Sequence, residues 1–310
     1  MAARDVTGVL LMAYGSPDNL DDVEAYYTHI RRGRKPSPEQ LADLIDRYRQ
    51  IGGSGLNRIT FEVAEAVEAL LSESGSYRAY VGMKHWHPYI ADTVDQMADE
   101  GVRRAVAMVL TPQFSRMSVA EYLRTARERA ETHGIDMVEV NQWWDEPSYI
   151  RFMAERVRQA LGLFAAEERK GVRILFTAHS LPERILTWQD PYPEQLLATS
   201  KAVSEAAGVQ RWQFAYQSAS HTGEPWLGPD ILDVLADLAG EGVRSVLVCP
   251  VGFVSDHLEV RYDIDVEARE RARELGIHLE RTQSPNAHPD FAQALAGVVG
   301  RYAAKLRQEA

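Results

Sequence analysis

Two separate stretches of this chain follow one pattern, and an internal duplication restricts the possible folds more than any isolated motif could. Val9-Leu-Leu-Met-Ala-Tyr14-Gly-Ser-Pro17 and Ile174-Leu-Phe-Thr-Ala-His179-Ser-Leu-Pro182 are each an apolar run ending in Ala, then a ring-bearing polar residue and a short turn closed by proline. Short apolar runs bounded by turn formers are the pattern of buried parallel strands opening into loops. Open parallel sheets bind ligands outside the carboxyl ends of their strands. Tyr14 and His179 therefore stand where chemistry is expected, one in each half.

A second pair of strings extends the repeat. Glu100-Gly-Val-Arg103 leads through Val109 and Phe114 to Ala126-Arg-Glu-Arg-Ala130 and Gly134, and Glu241-Gly-Val-Arg244 leads through Val246 and Phe253 to Ala268-Arg-Glu-Arg-Ala272 and Gly276. Each reads as a helix end, a strand, a loop and a helix closed by glycine. Strands are predicted over 7–13, 77–83, 104–110 and 136–141, and again over 172–178, 211–217, 244–250 and 277–281. Amphipathic stretches such as Phe61 to Leu71 and Pro193 to Ala207 lie between them. The expected class is α/β, with two mainly parallel four-stranded sheets flanked by helices. The expected segments are 1–145, 146–289 and 290–310, the last a helix from Asp290 to Arg307 that packs back on the first lobe.

At 310 residues the chain suits two lobes. A net charge of −11 argues against nucleic acid, whose phosphates demand basic clusters, but permits a small anion in a local arginine pocket. No stretch approaches the ~20 apolar residues of a membrane helix, and Gly8 to Ala13 is too short for a signal-peptide core. A cytoplasmic protein without integral membrane association is expected. The one cysteine, Cys249, excludes an intrachain disulfide and a four-cysteine cluster within one chain. The nucleophile elbow, the H-E-x-x-H zinc site and the dinucleotide-binding glycine loop are all absent.

Two segments depart from a plain βα repeat. Residues 18–56 concentrate Tyr26, Tyr27, Arg31, Arg47 and Tyr48, and end in Ile51-Gly-Gly-Ser-Gly55, expected as a flexible turn. Tyrosines stack on flat π systems and arginine forks take carboxylates, so a planar polyanion would satisfy both. The second segment, 252–267, spaces Glu259, Asp263 and Glu267 at i, i+4 and i+8, along one face of a predicted helix. Like charges so placed repel. Beside His179, which can accept protons or ligate metal near neutrality, they suit a divalent cation held weakly and passed on. His85 and His87 are expected at the rim, and His257 is expected to orient Glu259.

Taken in order, several strings resemble the ferrochelatase family: Ala13-Tyr-Gly-Ser-Pro17, Tyr26-Tyr-Thr-His-Ile-Arg-Arg-Gly-Arg-Lys-Pro36, Arg47-Tyr48 with Ile51-Gly-Gly53, and Gly82-Met-Lys-His85. They continue with Ala178-His-Ser-Leu-Pro182, Asp190-Pro-Tyr-Pro193, Pro225-Trp-Leu-Gly-Pro229 and Pro250-Val-Gly-Phe-Val-Ser-Asp-His-Leu-Glu259. The match spans nearly the whole chain and is strongest for the short bacterial branch that metallates coproporphyrin III. It implies two Rossmann-like lobes of the chelatase type with a porphyrin cleft between them. It also implies insertion of Fe²⁺, as substrate, into coproporphyrin III to give coproheme in haem biosynthesis.

Residue by residue, the resemblance makes His179 and Glu259 the catalytic metal-site pair and Tyr14 the axial ligand of the product iron. Asp263 and Glu267 become an outer acidic site for iron or Mg²⁺. Tyr14, Arg31, Arg47, Tyr48, Gly55 and Tyr122 become porphyrin contacts. The branch carries serine where this chain has Gly55, so Ser54 or the Gly55 N–H is expected to stand in. No permanently bound cofactor and no iron–sulfur cluster are expected. The expected state is a monomer in transient contact with neighbouring haem-pathway enzymes. The rival readings are a protoporphyrin ferrochelatase, a non-catalytic cytoplasmic haem or tetrapyrrole carrier liganded by Tyr14, and a cobalt chelatase, whose relatives pair histidines at the metal.

Overall fold

A computed structural model describes residues 6–220 and 223–306. Backbone contacts divide the chain into two compact units, one running to Trp143 and resuming at Asn286, the other spanning Trp144–Pro285.

The first unit is built on β1 (Thr7–Ala13), β2 (Tyr77–Met83), β3 (Arg104–Val109) and β4 (Asp136–Val140), all parallel, in the order β2-β1-β3-β4. Every residue of β1 is buried, the expected property of a strand covered on both faces. Leu10, Met12, Ala105 and Ala107 pack on one side against Val94 and Met97 of the helix Ile90–Asp99, and against Leu123 and Ala126 of the helix Val119–His133. The carboxyl-terminal helix, Pro289–Leu306, packs on the helix Leu56–Ser72 and on β3 and β4 of this unit. Its Phe291 ring lies 6.0 Å from that of Trp143. Arg307, which the pattern assigns to this helix, lies outside the described residues.

The second unit repeats the plan with β5 (Arg173–His179), β6 (Trp212–Gln217), β7 (Ser245–Cys249) and β8 (His278–Arg281), in the order β6-β5-β7-β8. Its apolar core joins Leu175, Val246 and Val248 to Leu235, Leu238, Ile264 and Ala268. In both sheets the chain leaves the first strand to one side and then crosses to the other. The first strand is thus the switch point, where such sheets bind ligands. Tyr14 directly follows β1, and His179 is the last residue of β5.

The 18–56 segment is more regular than its composition suggests. It holds the helices Val23–Ile30 and Pro38–Gln50, the latter started by a capping box between Ser37 and Gln40 with proline at its first position. The glycines after it are not a flexible turn. Gly53 N–H donates to Tyr48 O at 2.9 Å and Gly52 N–H to Arg49 O at 3.1 Å, with positive φ at both glycines. This is the Schellman closure of a helix.

One glycine in the second unit sits at a close approach of two backbone segments. A Cβ on Gly252 would clash with Ala178 Cβ and lie 2.9 Å from Ala178 Cα, so the loop after β7 rests directly on the end of β5. The buried Tyr149 hydroxyl donates to Val251 O at 3.1 Å and holds the loop there. Gly252→Ala should cost about 1–3 kcal/mol, the range of an overpacked core. Denaturant unfolding checks this, and an unchanged midpoint would mean that the loop has room to move. Among the described residues no helix is long and apolar enough to cross a membrane.

Candidate active site

In the second unit the fold brings together His179 and Glu259, eighty residues apart in sequence. His179 ends a strand whose main chain is pinned on both sides. Tyr192 OH donates to His179 O at 2.9 Å, and Ser180 N–H donates to Gln217 O at 2.8 Å. Gln217, paired with His179 in the ladder, sends its Nε2 to Glu259 O at 2.7 Å. Neighbouring strand ends therefore fix both main chains before the side chains meet.

His179 Nδ1 lies 3.1 Å from Glu259 Oε2, yet makes no hydrogen bond. The oxygen lies off the direction of the ring N–H, so the contact is one of charge. His257 Nε2 is 3.6 Å from the same oxygen, while its Nδ1 meets Ser255 O at 2.9 Å, which sets that nitrogen as donor. The orienting role expected of His257 accords with this geometry. The side chains of His179 and Glu259 stay 30% and 33% exposed, so a small ion or a substrate can reach them. The Trp226 ring stands edge-on to His179 with centroids 6.2 Å apart.

The charges are coupled. Burial alone would lower the pKa of His179, but the Glu259 carboxylate, with Asp263 behind it, outweighs burial and raises it. His257 is raised in the same way against its burial, mainly by Glu259. Burial would raise Glu259, but the two imidazoles hold its carboxyl far below the usual range. The site carries one firm negative charge between two groups able to take a proton.

The acidic stripe differs from its expected form. A short helical turn, Leu258–Arg261, passes into a π-helical segment, Asp263–Ala268, in which Tyr262 O accepts from both Val266 N–H and Glu267 N–H at 3.0 Å. The i→i+5 bond widens the turn, so Glu259, Asp263 and Glu267 do not stack at α-helical spacing. Asp263 is buried and accepts the Ser218 hydroxyl, so it is not part of a solvated face. Among the described residues no group of three or more His, Cys, Asp or Glu side chains is arranged to hold a metal.

In the first unit the Tyr14 ring is 39% exposed and packs against His85, with centroids 4.6 Å apart. Gly15, at φ +85°, turns the chain beneath Trp86, where a Cβ would lie 2.9 Å from Trp86 Cβ. His85 Nδ1 meets His29 Nδ1 at 3.1 Å, and burial, then Lys84 and His29, push its pKa down to about 3. His85 is thus held toward its neutral form, half-buried against the exposed Tyr14 ring. Arg31 closes the helix Val23–Ile30, with its guanidinium 5.5 Å from the centre of the Tyr27 ring. Arg47 pairs with Asp43 at 2.9 Å. Tyr48 and Tyr122 lie in the core, 2% and 6% exposed, and offer a ligand far less surface than Tyr14 does. Gly55 caps the helix Leu56–Ser72, and the Ser54 hydroxyl accepts from Leu56 N–H at 3.2 Å, so the serine proposed to stand in already serves that helix.

The sequence profile of the family described as Ferrochelatase matches residues 6–303. The Coproporphyrin III ferrochelatase of Bacillus subtilis (strain 168) is 44% identical over 303 residues, covering 96% of this chain and 98% of its own. The Ferrochelatase of Herpetosiphon aurantiacus is 44% identical over 299 residues, covering 94% and 98%. Among solved structures, SirB from Bacillus subtilis with Fe³⁺ superposes over 97% of each chain with a TM-score of 0.61 at 11% identity, a likeness of fold alone. With the profile spanning nearly all of the sequence and relatives of this identity along its length, the chain belongs to the ferrochelatase family.

Proposed function

We propose that this chain is a coproporphyrin III ferrochelatase, a lyase that inserts Fe²⁺ into coproporphyrin III to give coproheme in haem biosynthesis. The observation that carries this reading is the 3.1 Å approach of His179 to Glu259 at the end of β5. It pairs a proton acceptor with a metal-binding carboxylate on one small patch. Metallation exchanges two pyrrole N–H protons for one doubly charged cation, so the porphyrin's charge is unchanged and a nearby base must take up each proton in turn and pass it to water. His179 is that base in its neutral form, and Glu259 presents the cation. The open, two-donor geometry suits a metal that must leave again, because a closed ligand set would hold it.

Further roles belong to the same proposal. Asp263 and Glu267 form an outer acidic site for iron, in which the buried Asp263 adds its charge behind Glu259 rather than a solvated ligand. Tyr14 is the axial ligand of the product iron. Arg31 and Arg47 hold propionates, and the edges of Tyr48 and Tyr122, with the backbone at Gly55, contribute to the porphyrin surface. Binding energy spent on bending the macrocycle would expose its nitrogen lone pairs. The protein needs no resident cofactor and works in the cytoplasm.

Arg31→Ala combined with Arg47→Ala should weaken coproporphyrin affinity by about 10–100-fold, the loss expected when hydrogen bonds to charged groups are removed. Turnover at saturating porphyrin should change little. Affinity equal to the parent's would remove both arginines from the propionate site. The function itself is tested by anaerobic initial rates with Fe²⁺ and metal-free coproporphyrin III or protoporphyrin IX. Faster catalytic turnover of coproporphyrin is expected. Faster turnover of protoporphyrin would make this a protohaem-forming enzyme, and stoichiometric binding without turnover would make it a carrier.

A further inference from the structure

Arg281, the last residue of β8, takes no part in the chemistry described above, yet it is built into the segment that carries Glu259. Its side chain is only 13% exposed. Nε and Nη2 donate to the two oxygens of Asp265 at 2.8 Å each, a bidentate fork. Nη1 lies 3.3 Å from Asp256 Oδ1 and donates to Thr282 O at 3.0 Å. Ser284 Oγ donates to the same Asp256 oxygen at 2.7 Å and closes the network.

The placement of the two carboxylates matters more than their number. Asp256 immediately precedes His257, and Asp265 lies within the π-helical segment. Between them stand His257, Glu259 and Asp263, so one guanidinium holds a carboxylate side chain on either side of the acidic site. π-helical turns are rare and occur mostly as single turns at functional sites. The planar arginine fork can satisfy two carboxylates in fixed directions, which a lysine ammonium cannot do.

We infer that Arg281 is a positioning residue for the metal substrate: by clamping Asp256 and Asp265 it fixes Glu259 relative to His179 and so sets affinity for Fe²⁺. This deepens the ferrochelatase reading and rests on it. Partners that orient a metal ligand from behind alter metal affinity or activity by about 10–100-fold when replaced.

The test is steady-state kinetics of Arg281→Lys, with Fe²⁺ and coproporphyrin III varied separately and the parent enzyme in parallel. The KM for Fe²⁺ should rise at least tenfold, while the KM for coproporphyrin stays at the parent value. A purely structural ion pair would lower the active fraction and hence kcat, and leave both KM values alone. That outcome, or an unchanged KM for Fe²⁺, overturns the clamp. Asp265→Asn keeps the side-chain shape and removes one of the gripped charges. It should reproduce the KM effect, and it decides the matter if Arg281→Lys does not fold. Iron insertion by the parent with no KM change in either variant sinks the clamp alone, whereas no insertion by the parent sinks the ferrochelatase reading and the clamp with it.

Discussion

Replacing His179 with alanine is expected to lower Fe²⁺ insertion by about 10²–10⁴-fold, the contribution of a positioned general base, while coproporphyrin still binds. The structure supports this separation of effects. The His179 main chain is held by Tyr192 and by the ladder to Gln217, neither of which needs the imidazole. Its ring is 30% exposed, so water can fill the space left by truncation and the sheet is not undermined. Porphyrin binding followed by fluorescence quenching, together with anaerobic turnover, would separate the two properties. Near-parental turnover would remove His179 from the mechanism, and loss of porphyrin binding would make it a binding residue rather than a base.

Glu259→Gln is the complementary experiment. The amide keeps the shape of the carboxylate but removes the charge that both imidazoles face, at 3.1 Å and 3.6 Å. The KM for Fe²⁺ should rise by about 10–100-fold, as when a metal ligand is weakened. The pH profile should move as well. Glu259 raises the pKa of His179 against the effect of burial, so without it burial prevails and the imidazole becomes neutral at lower pH. The acid limb of kcat/KM should therefore shift toward lower pH. An acid limb that does not move would mean that the titrating group is not His179.

Stability carries the same signature. The depressed pKa of Glu259 gives stability that is present above the ordinary carboxylate value of 4.5 and disappears as pH falls through the lower folded value. The raised pKa of His179 gives stability that is present below 6.5 and disappears as pH rises through the higher folded value. The contribution of the pair is complete between pH 4.5 and 6.5. In Glu259→Gln the Tm should lose height in that window relative to its flanks.

Much of this was legible in the residues. The apolar runs ending at Ala13 and His179 locate the switch-point strands because a strand buried on both faces must be apolar throughout. The duplicated strings imply two sheets, and the sheets share one strand order. The helix Pro38–Gln50 carried a readable signal as well, since Ser37, Pro38 and Gln40 spell a capping box that the aromatic and arginine content of the segment obscured. Other features left no such trace. Spacing of i and i+4 is shared by α-helices and by segments that turn π-helical, so the stripe from Glu259 to Glu267 gave no notice of the wider turn. Arg281 sits among alternating strand residues and resembles any surface arginine until Asp256 and Asp265 meet it.

Sequence by itself determined the class of the fold, the two strand ends that carry Tyr14 and His179, and membership of the ferrochelatase family, because strand burial and local motifs are properties of neighbouring residues. Tertiary structure alone decided that Gln217 ties the His179 strand to Glu259, that Asp263 is buried beside Ser218, and that Arg281 grips both sides of the acidic segment. Those contacts join residues from 16 to 45 positions apart. No local pattern encodes them, since they arise only when strands distant in the chain are laid side by side and their ends are packed to exclude water.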